Sequence, residues 1–598
     1  MKVRKVGMMK KNKGRVWRVI KVMFPKMLRS CPGMFVLSAV FGILNSVCMG
    51  ILIYLSQELY DSLLNAVAGV VSKREVIVVT LIFGGFTIGN QILNGLNVFI
   101  MNVMFKIINR DLTYELHAKA DRLRAMSFEK ETIYNQFQMA IQGRNESVFL
   151  LFICFTPITC HLPLYMFMGS YFYILNPSFV LAILLIWFPI CISYYYKIKA
   201  KAVLVNSAAA PSREMKYYHQ CIIGREFFRE TRLLGAMPFF RNLYTHTMQM
   251  VNSLEVAYKT KSLKIDFISK LITLVGYGCV LYMIFTNVIA GTISIGAFAA
   301  VLNGIGLLFD EMKELISDDI GENIGSMGSI KSLIDFLELP EEQAIGQPVQ
   351  QDILALETIR LKGVSFKYPN SENYVLKDVD LEIKPGEKMA LVGANGSGKT
   401  TLTKLLLGLY QPTLGEIIVG ARHDEQGAIL LSGLTSAVFQ DFRRYKMTLR
   451  QNIMISDVLS GTDEEELYSV MRDAGIPQEL ALDTNLSVEF GGIDLSGGQW
   501  QKVAIARGIY RKHHLIVLDE PTSAIDPIEE SDIYQKFVEI IKDRTAILVT
   551  HRIGAAKIAD RIVIMEEGRC IDSGTHQQLM SSCESYRRMY YAQADWYS

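Results

Sequence analysis

Leu391-Val392-Gly393-Ala394-Asn395-Gly396-Ser397-Gly398-Lys399-Thr400 is the stretch on which the reading of the C-terminal half turns. It sets Gly-x-x-x-x-Gly-Lys-Thr between an apolar, strand-like run and a helix-forming one. The glycines let backbone N–H groups approach phosphate oxygens, and a following helix adds its positive end. In that pattern Lys399 reaches the β- and γ-phosphates and Thr400 suits a Mg2+ ion. A glycine-rich turn without a ligand is the bland alternative, and the strand–loop–helix context argues against it. Gly393, Asn395, Gly396, Ser397, Gly398, Lys399, Thr400 and Thr401 are the candidate nucleotide-binding residues here.

Downstream, Leu515-Ile516-Val517-Leu518-Asp519-Glu520 reads as a buried strand ending in two acids. Asp519 is placed to help hold a Mg2+ shell. Glu520, one residue on, can polarise an attacking water as general base. Either acid alone reads as a solvated strand end. With the phosphate loop they read as hydrolytic machinery.

Between them stands Leu495-Ser496-Gly497-Gly498-Gln499. This stretch resembles the signature of the ATP-binding-cassette (ABC) family, in which it opens a helix and caps the γ-phosphate of ATP on the opposite cassette. The resemblance implies nucleotide contacts for Ser496, Gly497, Gly498 and Gln499. Four more motifs fall in the family's order. Tyr368 in Phe366-Lys367-Tyr368-Pro369 matches the aromatic that stacks on adenine. Gln440 in Val438-Phe439-Gln440-Asp441 matches the glutamine that senses Mg2+ and water. Asp526 in Ser523-Ala524-Ile525-Asp526 matches the loop that crosses between cassettes, and His551 in Val549-Thr550-His551-Arg552 the γ-phosphate switch. The catalytic set implied is Glu520, His551 and Gln440, the metal set Thr400, Gln440 and Asp519, and the cofactors ATP and Mg2+. A lone Tyr, Gln or His carries little weight; the ordered set over 368–551 does.

Outward from the motor domain, six apolar stretches precede residue 320, at 34–55, 76–104, 148–173, 177–196, 265–289 and 293–309. A 22-residue helix is about 33 Å long, which matches a hydrocarbon core of about 30 Å. Half of the 598 residues are hydrophobic and the mean hydropathy is +0.23, so the apolar residues are concentrated in one part of the chain. The first stretch is too long for a cleavable signal peptide and lacks small-residue cleavage chemistry. Residues 1–30 hold eleven Lys and Arg and no acid, and the segments 105–147 and 197–264 are rich in both. Positive charge stays cytosolic, so the N-terminus, both long segments and the C-terminal half are expected in the cytosol. The basic arm also suits anionic lipid headgroups. A net charge of only +3 argues against a nucleic-acid partner.

The nine cysteines form no CxxC pair and no zinc-ligand spacing, and packing is their expected role. Asn90, Asn94 and Asn97 share one face of the second stretch, with Asn303 in the sixth and His161 in the third. Lining a cavity and bonding between helices are both open to them, the second being commoner in membranes. Charges are nearly absent from the apolar stretches, which argues against a proton relay.

The resemblance extends over nearly the whole chain, which looks like an exporter-type half-transporter. It implies a six-span α-helical membrane domain with long cytosolic extensions, followed by a soluble α/β cassette. The expected divisions are a basic arm at 1–30, the membrane domain at 31–317, a linker at 318–356 and the cassette at 357–598. Two connecting helices that dock on the cassettes match best at 120–134 and 221–235. Trp500-Gln501-Lys502 and the run Phe439–Arg450 resemble bacterial exporters of lantibiotics and related modified peptides. Val488-Glu489-Phe490-Gly491-Gly492 departs from the common exporter pattern. With about thirty residues ahead of the first span, no leader-cleaving protease domain is expected.

One cassette carries a phosphate loop and a signature but cannot sandwich ATP alone, so the resemblance implies a dimer. No motif is degenerate, which favours a homodimer, and a heterodimer stays open. The expected activity is ATP-driven export of an amphipathic substrate, with a peptide ahead of a lipid or drug and an ATP-gated channel a distant third. The expected location is a bacterial cytoplasmic membrane, crossed several times with both termini cytosolic.

Overall fold

A computed structural model describes residues 17–316, 326–341, 357–369, 371–421, 431, 433–458, 463–511, 513–520, 538–539 and 544–594. The chain divides into two units, Met1–His117 with Asn135–Leu339, and Ala118–Tyr134 with Pro340–Ser598.

The first unit is helical. Among the described residues, five helices are long and apolar enough to cross a membrane: Pro32–Val67, Lys73–Asp121, Glu131–Leu175, Met237–Ile289 and Ile295–Ile316. The fourth expected span lies within Pro177–Ile223, a 47-residue helix with Pro189 and Pro211 inside it. Four of these six helices exceed 40 residues, or about 60 Å, twice the hydrocarbon thickness. Their polar ends are the long extensions read from the sequence. Helix starts are set by local chemistry. Asn176 caps Pro177–Ile223 by accepting from the Ser178 N–H at 3.0 Å, and Ser294 caps the last span by accepting from Ala297 N–H.

Polar side chains in this unit join helices to one another. The Ser38 hydroxyl donates to Asn97 Oδ1 at 3.0 Å, which favours the helix-bonding role for that asparagine, while Asn94 and Asn303 are exposed. His161 is buried in a π-helical turn, Pro157–His161, with its Nδ1 at 3.1 Å from Glu311 Oε2. Glu311 lies two residues beyond the sixth apolar stretch, which is why the span compositions show no charge pair. Part of the stretch read as a linker is a packed helix, Met327–Leu337, whose apolar face is buried. It lies against Glu131–Glu146 so closely that a Cβ on Gly143 would sit 2.1 Å from the Ser329 carbonyl oxygen.

In the second unit, strands β1 (Ile359–Phe366), β2 (Leu376–Ile383) and β4 (Leu414–Val419) form an antiparallel sheet ordered β2-β1-β4. A six-stranded sheet adds β3 (Lys388–Gly393), β5 (Thr435–Val438), β6 (Leu515–Asp519), β7 (Thr545–Val549), β8 (Arg561–Glu566) and β9 (Arg569–Gly574). Its order is β5-β6-β7-β3-β8-β9, with β9 alone antiparallel. β3 and β6 read as near-continuous apolar runs because both faces of a parallel sheet are covered. The register sets Leu391 opposite Val549 and Asp519 opposite Val549, so the C-terminal ends of β3, β6 and β7 finish side by side.

Residues 118–134 belong to this unit. Met126 packs on the core between the two sheets, Lys119 and Arg122 reach Glu341 at 3.2 and 3.3 Å, and Glu129 accepts from the Tyr410 hydroxyl at 2.6 Å. The charge of Lys119 and Arg122 holds the Glu341 carboxyl below its ordinary range, chiefly through the Lys119 bond.

Candidate nucleotide-hydrolysis site

Open α/β sheets bind ligands at the carboxyl ends of their strands, and the segments leaving β3, β5, β6 and β7 carry the phosphate loop, Gln440, Glu520 and His551. The phosphate loop runs from Gly393 to the helix Lys399–Leu406. Gly396 and Gly398 adopt φ of +82° and +102°, and a Cβ on Gly398 would also lie 2.8 Å from a Leu376 methyl. Both reasons require glycine there.

Lys399 is buried and curls back, its Nζ donating to the carbonyls of Gly393 and Ala394 at 2.8 and 3.0 Å. Burial lowers its pKa, while Glu520 and Asp519 pull the other way. Ser397 Oγ is buried and has no hydrogen-bond partner among the described residues. An orphaned hydroxyl inside a loop of positive-φ glycines is a defect in a free-standing turn and an asset in an anion cradle. Thr400 faces outward and Thr401 is buried, its hydroxyl 3.2 Å from the Tyr368 hydroxyl.

Asp519 ends β6 buried, with its pKa raised to about 6 by desolvation first and by neighbouring Glu520 second. Glu520 follows at a φ of +48°, an unusual conformation for a side-chain-bearing residue, with its N–H bonded to Val549 O at 3.0 Å. That turn projects the carboxylate between two other motifs. Gln440 Nε2 donates to Glu520 Oε2 at 2.7 Å, and His551 Nδ1 lies 2.9 Å from Oε1. Three residues 31 to 111 positions apart thus meet on one carboxylate.

The signature opens the helix Gly497–Tyr510. Ser496 and Gln499 form a reciprocal capping box, at 3.3 Å from Gln499 N–H to the serine hydroxyl and 2.9 Å from Ser496 N–H to the glutamine oxygen. Gly497 is exposed, Gly498 is half-buried, and Trp500 behind them is buried with its indole N–H directed at Asp494. Asp526 lies outside the described residues, and Asn395 is exposed on the phosphate loop.

Some residues of the site carry no motif. Gln593, in the C-terminal helix Glu584–Ala594, donates to the His551 carbonyl and accepts from Ile553 N–H at 2.9 Å, pinning both sides of the histidine. Arg507 in the signature helix donates to the carbonyls of Arg443 and Asn452 at 2.7 and 2.9 Å and covers the Tyr445 ring. Burial lowers its pKa to about 10. It fastens the segment that begins at Gln440 to the helix that begins at Ser496.

A family model described as ABC transporter matches residues 376–523, from β2 through the signature and the paired acids. Residues 376–523 thus form an ABC transporter domain, and the chain couples ATP hydrolysis to transport. Similar proteins include the subtilin transport ATP-binding protein of Bacillus subtilis, 29% identical over 92% of this ABC transporter and 90% of that protein. The nisin transport ATP-binding protein of Lactococcus lactis subsp. lactis is 27% identical over 90% of each. An ATP-dependent lipid A-core flippase of Alkalilimnicola ehrlichii is 30% identical over 61% of this chain and 62% of its own. The solved structure of a bacterial Atm1-family ABC exporter with ATP bound matches at a TM-score of 0.73, covering 95% of this chain and 99% of that one at 18% identity. The transporter therefore has the exporter fold, with a helical membrane region ahead of the cassette.

Proposed function

We propose that this ABC transporter is one half of a homodimeric exporter that uses ATP to move an amphipathic peptide out of a bacterial cytosol. The observation that carries the hydrolytic reading is Glu520, held between Gln440 and His551 at 2.7 and 2.9 Å. A carboxylate fixed at both oxygens is suited to orient water and accept its proton. In this reading His551 holds Glu520 in place and meets the γ-phosphate, and Gln440 reports on the same point. Lys399 and the phosphate-loop N–H groups neutralise the nucleotide's charge. Ser397 gains a partner there, and Tyr368 offers its ring to the base.

Mg2+ fits the donors present. Among the described residues no group of three or more His, Cys, Asp or Glu forms an all-protein cage, and Mg2+ is ordinarily held by one or two carboxylates together with substrate phosphates. Asp519, Thr400 and Gln440 would hold it. When bound, it neutralises charge on the phosphate oxygens.

The peptide substrate is supported by two similar proteins, named for subtilin and nisin transport, that align over about nine-tenths of this chain; the lipid A flippase aligns over 61%. The span surfaces offer a mixed apolar and amide lining, with Asn94 and Asn303 exposed. The connecting segment 221–235 presents Leu233 and Leu234, exposed at 87% and 69%, a surface suited to docking on a cassette of a second copy. The basic arm and the ATP site support a cytosolic side for both termini.

Hydrolysis by the purified chain reconstituted in lipid, measured with added modified peptides and with lipid A, tests the substrate. The proposal expects a several-fold stimulation by a cationic or amphipathic peptide and none by lipid A. Stimulation by lipid A alone would replace the peptide with a lipid.

A further inference from the structure

Between the phosphate-loop helix and the segment 118–134 lies a cluster that the hydrolytic mechanism leaves unused. Tyr410 is buried, 4% exposed, and its ring stacks on Phe366 with centroids 5.5 Å apart and planes 12° from parallel. Tyr368 meets both rings edge-on, at 5.2 Å from Phe366 and 6.0 Å from Tyr410. Lys404, one turn beyond Thr400, sits over the faces of Tyr368 and Tyr410 at 5.8 and 5.0 Å. Its ammonium donates to the Tyr410 hydroxyl at 3.2 Å. That hydroxyl in turn donates to Glu129 Oε1 at 2.6 Å, a short charge-assisted bond.

These contacts form one continuous path. It starts at Thr401 and Tyr368, which share a 3.2 Å hydrogen bond, passes through packed aromatic rings, and ends on a carboxylate of the segment 118–134. Burial and the Glu129 bond together raise the Tyr410 pKa, so the phenol stays protonated and keeps donating. A tyrosine that turns its face to a base changes the edge it shows to its neighbours, and close-packed rings transmit such a change rather than absorb it.

We infer that Tyr410 is a positioning residue through which Tyr368, when it engages the adenine of ATP, sets the position of the connecting segment by way of Glu129. This rests on the proposed role of Tyr368 at the base. The path makes the segment sensitive to the base of the nucleotide rather than to its phosphates alone. Because coupling is reciprocal, the segment's anchoring also sets the preference of the site for a base.

Hydrogen–deuterium exchange of the full chain in lipid nanodiscs tests this, with saturating ATP or inorganic tripolyphosphate as probes, each with Mg2+. Each response is the ratio of rates with and without the probe, which cancels any general loosening of a variant. In the unaltered protein ATP slows exchange in 118–134 by about fivefold or more and tripolyphosphate does not. In Tyr410→Phe the ring remains and the bond is lost. ATP then still slows exchange in 393–406, while the response in 118–134 disappears. Glu129→Ala gives the same loss, and the double variant loses no more than either single one. An equal ATP response of 118–134 in Tyr410→Phe and the unaltered protein overturns the relay. Tyr368→Ala tests the reading beneath it separately. ATP and tripolyphosphate become equivalent if Tyr368 meets the base, and an undiminished ATP response in that variant removes the base assignment and the relay with it.

Discussion

The cassette and the membrane unit use apolar residues in opposite ways. In the cassette the apolar faces are turned inward, and β3 and β6 are buried along nearly their whole length. In the membrane unit the apolar window of Lys73–Asp121 has no buried residue, and Leu81, Phe99 and Leu274 stand out at 70%, 65% and 65% exposure. One unit is sorted by water and the other is made for lipid, where an outward leucine costs nothing. Specific chemistry is therefore concentrated in the cassette's loops, and in the membrane unit it is confined to close helix contacts such as Gly143 and pairs such as Ser38–Asn97.

If this contrast is right, changes at single polar atoms dominate in the cassette and changes of volume at helix crossings dominate in the membrane unit. The largest effect after Glu520 itself is expected from His551→Ala. Removing the partner of Glu520 Oε1 should lower steady-state hydrolysis about 100-fold while leaving the melting temperature of the cassette nearly unchanged, since the imidazole is about half exposed. A fall of less than threefold would mean that the histidine does not hold the carboxylate. A smaller effect, on stability, is expected from Gly143→Ala. The added methyl meets the Ser329 carbonyl at 2.1 Å, and overpacking of this kind costs about 1–3 kcal/mol. Thermal unfolding in detergent would register it as a lowered transition with per-molecule hydrolysis retained at low temperature. An unchanged transition would show that the Met327–Leu337 helix is free to move away.

What could be read from the sequence follows the same division. The phosphate loop, the paired acids and the signature were legible because phosphate binding and hydrolysis demand particular residues at fixed local spacing. The structure brings Gln440, Glu520 and His551 together, although nothing local in the chain says that these distant residues touch. The spans were legible as lengths of apolar sequence, because lipid requires little else. Contacts made by single residues far apart were not legible. Gln593 behind His551, Arg507 across the Gln440 segment, and Tyr410 on Glu129 belong to no pattern, since one hydrogen bond leaves no periodic trace. His161 was visible without Glu311, because the acid falls just past the apolar stretch. The Met327–Leu337 helix was hidden in a stretch read as a linker: eleven residues are too few to stand out once the long spans set the scale.

The most direct test of the account is ATP hydrolysis by the purified chain in lipid beside Glu520→Gln, with nucleotide binding followed in both. The amide cannot take the proton of water, and general-base removal is expected to lower the rate by about 100- to 10,000-fold, with ATP still bound. Hydrolysis in Glu520→Gln within a few-fold of the unaltered chain would contradict the assignment of that carboxylate as the base.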